Sequence, residues 1–310
     1  MAFSIKEYFK LLKEAGSEFV NDNATKLSAS LAYSAIFSIG PLLLVVITLI
    51  GVFFKREDVT TDLFNQIRGL IGKQGADLLM SILTNLQHQN HKKLFGIIGV
   101  IVLIFGTTSV FIEIQGSINY IWSIRAKPKK GWLKFLTDRL LSFSMVVGLG
   151  FLLIVSLFIN TLMDLLTGRL VHFFGGTTIV LFNILNLVLL FIIITFLFAV
   201  IYKVLPDAKI HWKDALVGAS FTGVLFLIGK FLIGLYLGNS TVSNTYGAAA
   251  SIIILLSWVY YSSMILYFGA EFTKVYAIHK GEGIEANRTA VFIVKREARE
   301  LSDPTDEIGK

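Results

Sequence analysis

Six long apolar runs set the pattern of this chain, at roughly 29–54, 94–115, 139–160, 178–201, 214–237 and 247–270, with polar stretches between them. About 20 mostly apolar residues in a helix are enough to cross the hydrocarbon of a bilayer. No water reaches the backbone there, so a single chain spans either as helices or as a closed barrel. The runs at 180–200 and 252–269 are apolar at consecutive positions and lack the alternation of a barrel strand. The pattern predicts an all-α polytopic membrane protein with six transmembrane helices.

Weaker patterns flank these runs. Over residues 3–20, Ile5, Tyr8, Phe9, Leu12, Ala15 and Phe19 recur at helical spacing, with Lys6, Lys10 and Lys13 toward the other side. This suits a helix lying in the membrane interface with its lysines near anionic headgroups, or one packed on the bundle. Between the first two spans, Leu63, Ile67, Leu70 and Ile71, then Leu78, Leu79, Ile82, Leu83 and Leu86, predict two short amphipathic helices over the outer face, broken near Gly72 and Gly75. From Gly281 onward the chain is charged and reads as a flexible tail. The expected organisation is an N-terminal interfacial helix (1–26), a membrane domain (27–276) and a charged tail (277–310).

Composition sharpens this reading. Hydrophobic residues make up 55% of the 310 and charged ones 16%, against about 25% charged in an ordinary soluble domain. The absence of cysteine removes disulfides and thiolate chemistry. In a soluble protein the net charge of +7 would suggest nucleic acid. Here it follows the loops. With the N-terminus inside, about 20 Lys and Arg fall on inside segments and about 7 on outside ones, a positive-inside bias. Both termini are expected in the cytoplasm.

Polar groups within spans are costly and each needs an account. Lys230 lies about 7 residues, ~10 Å, below the outer end of the fifth run. Gly223 and Gly234 share its helical side, which turns Lys230 toward the bundle or a wet cavity, or leaves it to snorkel. Asn160 and Asp164 end the third run on the outside, Asn183 and Asn186 share one face of the fourth, and Asn244 and Tyr246 follow the fifth. They form either a substrate site for an anionic group or a set of interhelical hydrogen bonds. In the first run Ser30, Ser34 and Ser38 repeat every fourth residue, and Gly40–Pro41 is expected to break or kink the helix.

No chemistry-bearing constellation emerges. His88, His91, His172, His211 and His279 are scattered over connections with no carboxylate completing a ligand set. No phosphate loop, nucleophile elbow, metalloprotease or dinucleotide fingerprint occurs. No catalytic residue, metal or cofactor is expected, and no nucleic-acid partner, since the aromatics sit in the apolar runs.

The last runs carry a recognisable signature. Tyr246–Gly247–Ala248–Ala249–Ala250, then Ser257–Trp258–Val259–Tyr260–Tyr261 and Gly269–Ala270–Glu271, resemble the YihY/BrkB family of inner-membrane proteins. Ala29–Ser30–Leu31–Ala32–Tyr33, Gly40–Pro41–Leu42–Leu43 and Leu205–Pro206–Asp207 support the resemblance. It implies six membrane helices and cytoplasmic termini. Members once carried the label ribonuclease BN, but this sequence lacks the metal-ligand cluster that such chemistry needs. Others are tied to serum resistance and to export of envelope lipid or lipopolysaccharide. Two expectations follow: a transporter or flippase for an anionic envelope lipid or amphiphile, or a non-transporting scaffold or assembly factor. Membrane lipids are the expected partners. Glu271 is expected at the inner end of the last span, compensated by water or Lys274.

Overall fold

The computed structural model describes residues 5–50, 64, 68, 76–77, 79–81, 94–127, 131–148, 151–152, 155, 176–238 and 250–295. Its helices are α1 (Ile5–Asn21), α2 (Ala24–Ile50), α3 (Leu94–Ile121), α4 (131–148), α5 (Gly176–Val204), α6 (Trp212–Gly238) and α7 (Ala250–His279). Among the described residues, three helices are long and apolar enough to cross a membrane: Ile184–Val204, Trp212–Ile233 and Ile252–His279. Most of the region 58–93 lies outside the described residues. Within it, positions 64, 68, 76–77 and 79–81 are helical, with Ala76 and Leu79 buried and Asp77 exposed.

Packing runs in a chain of neighbours, with α5 against α6, α6 against α7, α7 against α2, and α2 against α3. The α6–α7 crossing is held close by small residues. A Cβ on Gly218 would strike Thr273, and one on Gly269 would strike Thr222 and the Tyr202 hydroxyl. Each threonine hydroxyl donates to the glycine carbonyl four residues back on its own helix, Thr222 to Gly218 at 2.8 Å and Thr273 to Gly269 at 2.6 Å. Their polarity is thereby satisfied locally, while the glycines let the two backbones approach. Tyr202 of α5 enters the same crossing and donates to the Leu266 carbonyl at 2.8 Å.

The largest core cluster gathers where α3, α5 and α7 end and α6 begins, around Ile118, Trp122, Tyr202, Leu205, Ile210 and Ala270. Trp122 donates its indole N–H to the Ala270 carbonyl at 3.0 Å, fixing α3 to α7. Asn23 ends α1 in the left-handed region (φ 52°), which asparagine adopts more readily than most residues.

Three sequence expectations need correction. The helix break at Gly40–Pro41 is not seen: α2 continues as one helix through both residues. A proline deletes a single N–H, here the donor to the Phe37 carbonyl. Meanwhile Ser38, buried, bonds the Ser34 carbonyl at 2.8 Å and Ser109 of α3, so the neighbouring helix holds the segment. The fold is also not purely helical. Strands β1 (Ile124–Ala126), β2 (Ala208–Lys209), β3 (Glu285–Ala286) and β4 (Ala290–Phe292) form two antiparallel two-stranded sheets, β1 with β4 and β2 with β3. Finally, the segment 281–295, expected to be a loose tail, is a strap. It pairs Ala286 with Ala208 and Val291 with Arg125, because those connections leave backbone groups that the strap satisfies.

The N-terminal helix takes the bundle-packed alternative on one face, with Leu11 and Ala15 buried against Phe272 and Val275 of α7. Its other face leaves Lys6, Lys10, Lys13 and Phe9 exposed.

Gly269→Ala should destabilise the fold by about 1–3 kcal/mol through overpacking, read by reversible unfolding in detergent. Gly116 of α3, where an added Cβ meets nothing within 4 Å, should instead gain up to about 1 kcal/mol as alanine from helix propensity.

Candidate functional site

The polar residues expected to form an outer site are only partly described. Lys230 is half-buried on α6 and makes no hydrogen bond or ion pair among the described residues. Gly223, on the same helical side two turns earlier, abuts Phe191 and Thr195 of α5. Since α5 and α6 run antiparallel, that contact places Lys230 on the α5-facing side near the level of 184–188. Asn186 lies there and is exposed, and no bond joins it to Lys230. The backbone of Asn183 is in α5. Asn160, Asp164, Asn244, Tyr246 and Gly247 lie outside the described residues. Of the signature residues, Trp258 packs edge-on to Phe226 with centroids 5.9 Å apart, Tyr260 is half-buried, and Gly269 and Glu271 are buried.

At the strap end of the bundle, two polar centres are built in detail. The first surrounds Asp207, whose place is set by Leu205–Pro206: Leu205 is buried as α5 ends, and the chain turns directly into β2. Asn119 of α3 and Asp207 bond reciprocally. The Asn119 amide donates to Oδ2 at 3.0 Å, and the Asp207 backbone N–H donates to Asn119 Oδ1 at 2.8 Å. Lys134 of α4 donates to Asp207 Oδ1 and, at 2.6 Å, to Asp138. Burial works against the Lys134 ammonium, but the bonds and charges of Asp138 and Asp207 outweigh it, so its pKa is raised. Asn287 of the strap donates its N–H to the Asp207 carbonyl at 3.0 Å.

Beside this centre opens a cleft of about 780 Å³. Lys127, Lys134, Asp138, Asp207 and Arg288 bring charge to it, and Leu133, Leu141, Val204, Leu205 and Pro206 give it an apolar wall. Lys127 and Arg288 are exposed and make no side-chain ion pair among the described residues. Trp132, Phe135, Leu136 and Leu140 of α4 are exposed beside it. The arrangement suits a ligand with an anionic head and an apolar body.

The second centre joins α1 to α7. Glu7, Glu14 and Glu18 recur along one side of α1 and meet Lys280 at 3.3 Å, His279 at 3.5 Å and Lys274 at 2.7 Å. Deeper in, Lys274 lies 3.4 Å from Glu271 and 4.0 Å from Asp22. Lys295, at the end of the strap, pairs with Asp22, donates to the Ile121 carbonyl at 3.3 Å, and sits 4.5 Å from the Tyr120 ring centre. One carboxylate oxygen each from Glu18, Asp22 and Glu271 lie within 4.8 Å of one another, a set able to hold a metal ion. Glu271 was expected to be compensated by water or Lys274, and Lys274 lies 3.4 Å from it. Glu18, Asp22 and Lys295 were missed. The acids of α1, four to seven residues apart, were the available signal.

The chain matches the model of the family described as Virulence factor BrkB over residues 15–292, and it belongs to that family. It is 29% identical over 257 residues to a UPF0761 membrane protein of Pseudomonas paraeruginosa, covering 81% of this chain and 59% of that relative. A UPF0761 membrane protein of Tolumonas auensis is 28% identical over 264 residues, covering 82% of this chain and 80% of its own length. One from Xanthomonas campestris is 27% identical over 258 residues, with 81% and 57% covered. The chain thus spans 59% of the length of the Pseudomonas relative. No solved structure matches it. With its apolar helices, this kinship identifies an integral bacterial membrane protein.

Asp207→Ala should cost about 1–3 kcal/mol, because it leaves the buried Asn119 amide without its acceptor while Lys134 keeps only Asp138. Lys134→Met should be less stable than the parent at neutral pH. A raised lysine pKa stabilises fully below the unfolded value of 10.5 and is lost as pH rises through the folded value. The deficit of Lys134→Met should therefore shrink only above pH 10.5, as measured by unfolding across an alkaline series.

Proposed function

We propose that this BrkB-family chain is a six-span inner-membrane protein, with both termini cytoplasmic, that binds an anionic envelope lipid or related amphiphile and moves it across the bilayer. It performs no covalent chemistry. The observation that carries this reading is the cleft at the strap end. Its rim holds two cations, Lys127 and Arg288, that make no ion pair among the described residues, above an apolar wall. A phosphate or carboxylate head would bind Lys127 and Arg288, and its chains would leave along the exposed Trp132, Phe135 and Leu136.

The topology is supported by length and charge. Besides the three spans already counted, α2 and α3 have 27 and 28 residues, long enough at ~1.5 Å per residue to cross the hydrocarbon. The positive-inside bias assigns the strap end to the cytoplasm. Lys230 then lies toward the opposite end of α6 and offers a second station for the head, beside Asn186 and with Asn183, Asn160, Asp164, Asn244 and Tyr246 nearby in the expected topology. A non-transporting scaffold is the alternative. The strap favours it, since it ties two connections, those carrying β1 and β2, into one surface at that end.

Liposomes carrying labelled lipids separate the two readings. Protein-dependent movement of an anionic lipid, reduced at least about tenfold in Lys127→Ala/Arg288→Ala and in Lys230→Ala, supports transport; no movement across a broad lipid panel favours the scaffold. Orientation is tested by single cysteines in this cysteine-free chain. An impermeant thiol reagent should label position 75 in intact cells and position 130 only after permeabilisation. The reverse result overturns the topology.

A further inference from the structure

We propose that Glu18, Asp22 and Glu271 form a small-cation site, in which a proton or a hard metal ion competes with the Lys274 ammonium. The inference rests on the geometry of this centre and stands whether or not the amphiphile reading holds.

Charge and bonding at the centre do not balance. Three carboxylates converge there, and two ammonium groups answer them. Lys295 answers Asp22, and it also reaches the Ile121 carbonyl and lies over the Tyr120 ring. Lys274 alone serves the rest. Its Nζ lies 2.7 Å from Glu18, 3.4 Å from Glu271 and 4.0 Å from Asp22, so it occupies the point where the three acids meet. It acts as an internal cation on a tether.

The second observation is independent of the cluster's composition. The Glu271 side chain is 0% exposed, and its Oε1 is buried without a hydrogen-bond partner among the described residues. Its other oxygen holds Lys274 only at the long distance of 3.4 Å. A buried carboxylate oxygen left in this state is poorly compensated and favours an added cation. The charged groups facing it are Glu18 from α1, Asp22 from the turn that follows it, Lys274 from α7 and Lys295 from the strap. The Glu14–His279 pair joins the same two helices further toward the end of α7. Leu11, Ala15, Phe272 and Val275 form a buried apolar cluster along the α1–α7 contact beside it.

Ligand class and access follow from the same residues. All donors are carboxylate oxygens, with no histidine or cysteine among them, which suits a proton, Na⁺, Mg²⁺ or Mn²⁺ rather than a soft metal. Asp22 and Glu271 have side chains 5% and 0% exposed, whereas that of Glu18 is 38% exposed. The way in therefore passes Glu18, and Lys274 can swing out along it. Filling the site with an external cation would free Lys274 and remove one rung of the α1–α7 ladder.

The full chain in nanodiscs of neutral phospholipid tests this. Thermal unfolding is followed in choline chloride with Na⁺, Mg²⁺ or Mn²⁺ added at constant ionic strength, and separately over a falling pH series. A cation bound by the native state stabilises it. Lys274→Met, which removes the competitor, should show saturable stabilisation with an apparent affinity about tenfold or more above that of the parent. Glu271→Gln should abolish the effect in both backgrounds. Stabilisation by acid alone assigns the proton; stabilisation by an ion at fixed pH assigns the metal. No saturable effect in either protein, or one that survives Glu271→Gln, overturns the site. Should Lys274→Met fail to fold, sodium NMR line broadening and proton uptake on the parent chain, each against Glu271→Gln, give the same decision.

Discussion

The strap end of this molecule depends on one buried carboxylate. Asp207 accepts from Asn119 and Lys134, donates its N–H back to Asn119, and accepts the N–H of Asn287 at its carbonyl. Three segments distant in sequence, from α3, α4 and the strap, are thereby fixed to one residue of the α5–α6 link. Burying an acid is unfavourable unless its lone pairs and charge are met, and here the partners meet both. Because each partner is needed, the segments hold one relative position, and the cleft between α4, Pro206 and Arg288 takes its shape from it.

The two polar centres solve similar problems in different ways. Around Asp207, donors and acceptors match closely, and the group behaves as a structural node. Around Glu271, three acids share two ammonium groups among the described residues, and one buried oxygen has no partner among them. Matched networks give rigidity, whereas an unbalanced one is a place where a ligand changes the energy of the fold.

Much of the fold was legible because apolar runs of span length have few alternative fates in a chain. The runs near 178–201 and 214–237 became α5 and α6 with small shifts at their ends, and that near 247–270 became α7, which continues further to His279. The glycines in those runs were legible too, as close-packing positions, and Gly218 and Gly269 are such positions. Of the two readings of Pro41, a break or a kink, the break is excluded, because a helix in contact with its neighbour tolerates the loss of one N–H. The strands were illegible: two or three residues carry no periodicity, and their pairing is decided by partners more than 75 residues away. The Asp207 node was hidden for the same reason, as Asn119 and Asp207 stand 88 residues apart. Lys230 drew notice as an isolated charge in an apolar run. Glu18 and Asp22 drew none, because acids on an amphipathic helix ordinarily face water.

The strap also sets an order of events. A ribosome releases residues 281–295 after every helix of the bundle, so β1 and β2 wait for partners until α7 has entered the membrane. Until then Ile124–Ala126 and Ala208–Lys209 keep unpaired strand edges, Asp207 lacks Asn287, and Asp22 lacks Lys295. The chain therefore inserts its helices first and locks them afterwards from one end, much as a drawstring closes a bag already filled. Quality control that senses exposed edges at that end would read unfinished insertion directly.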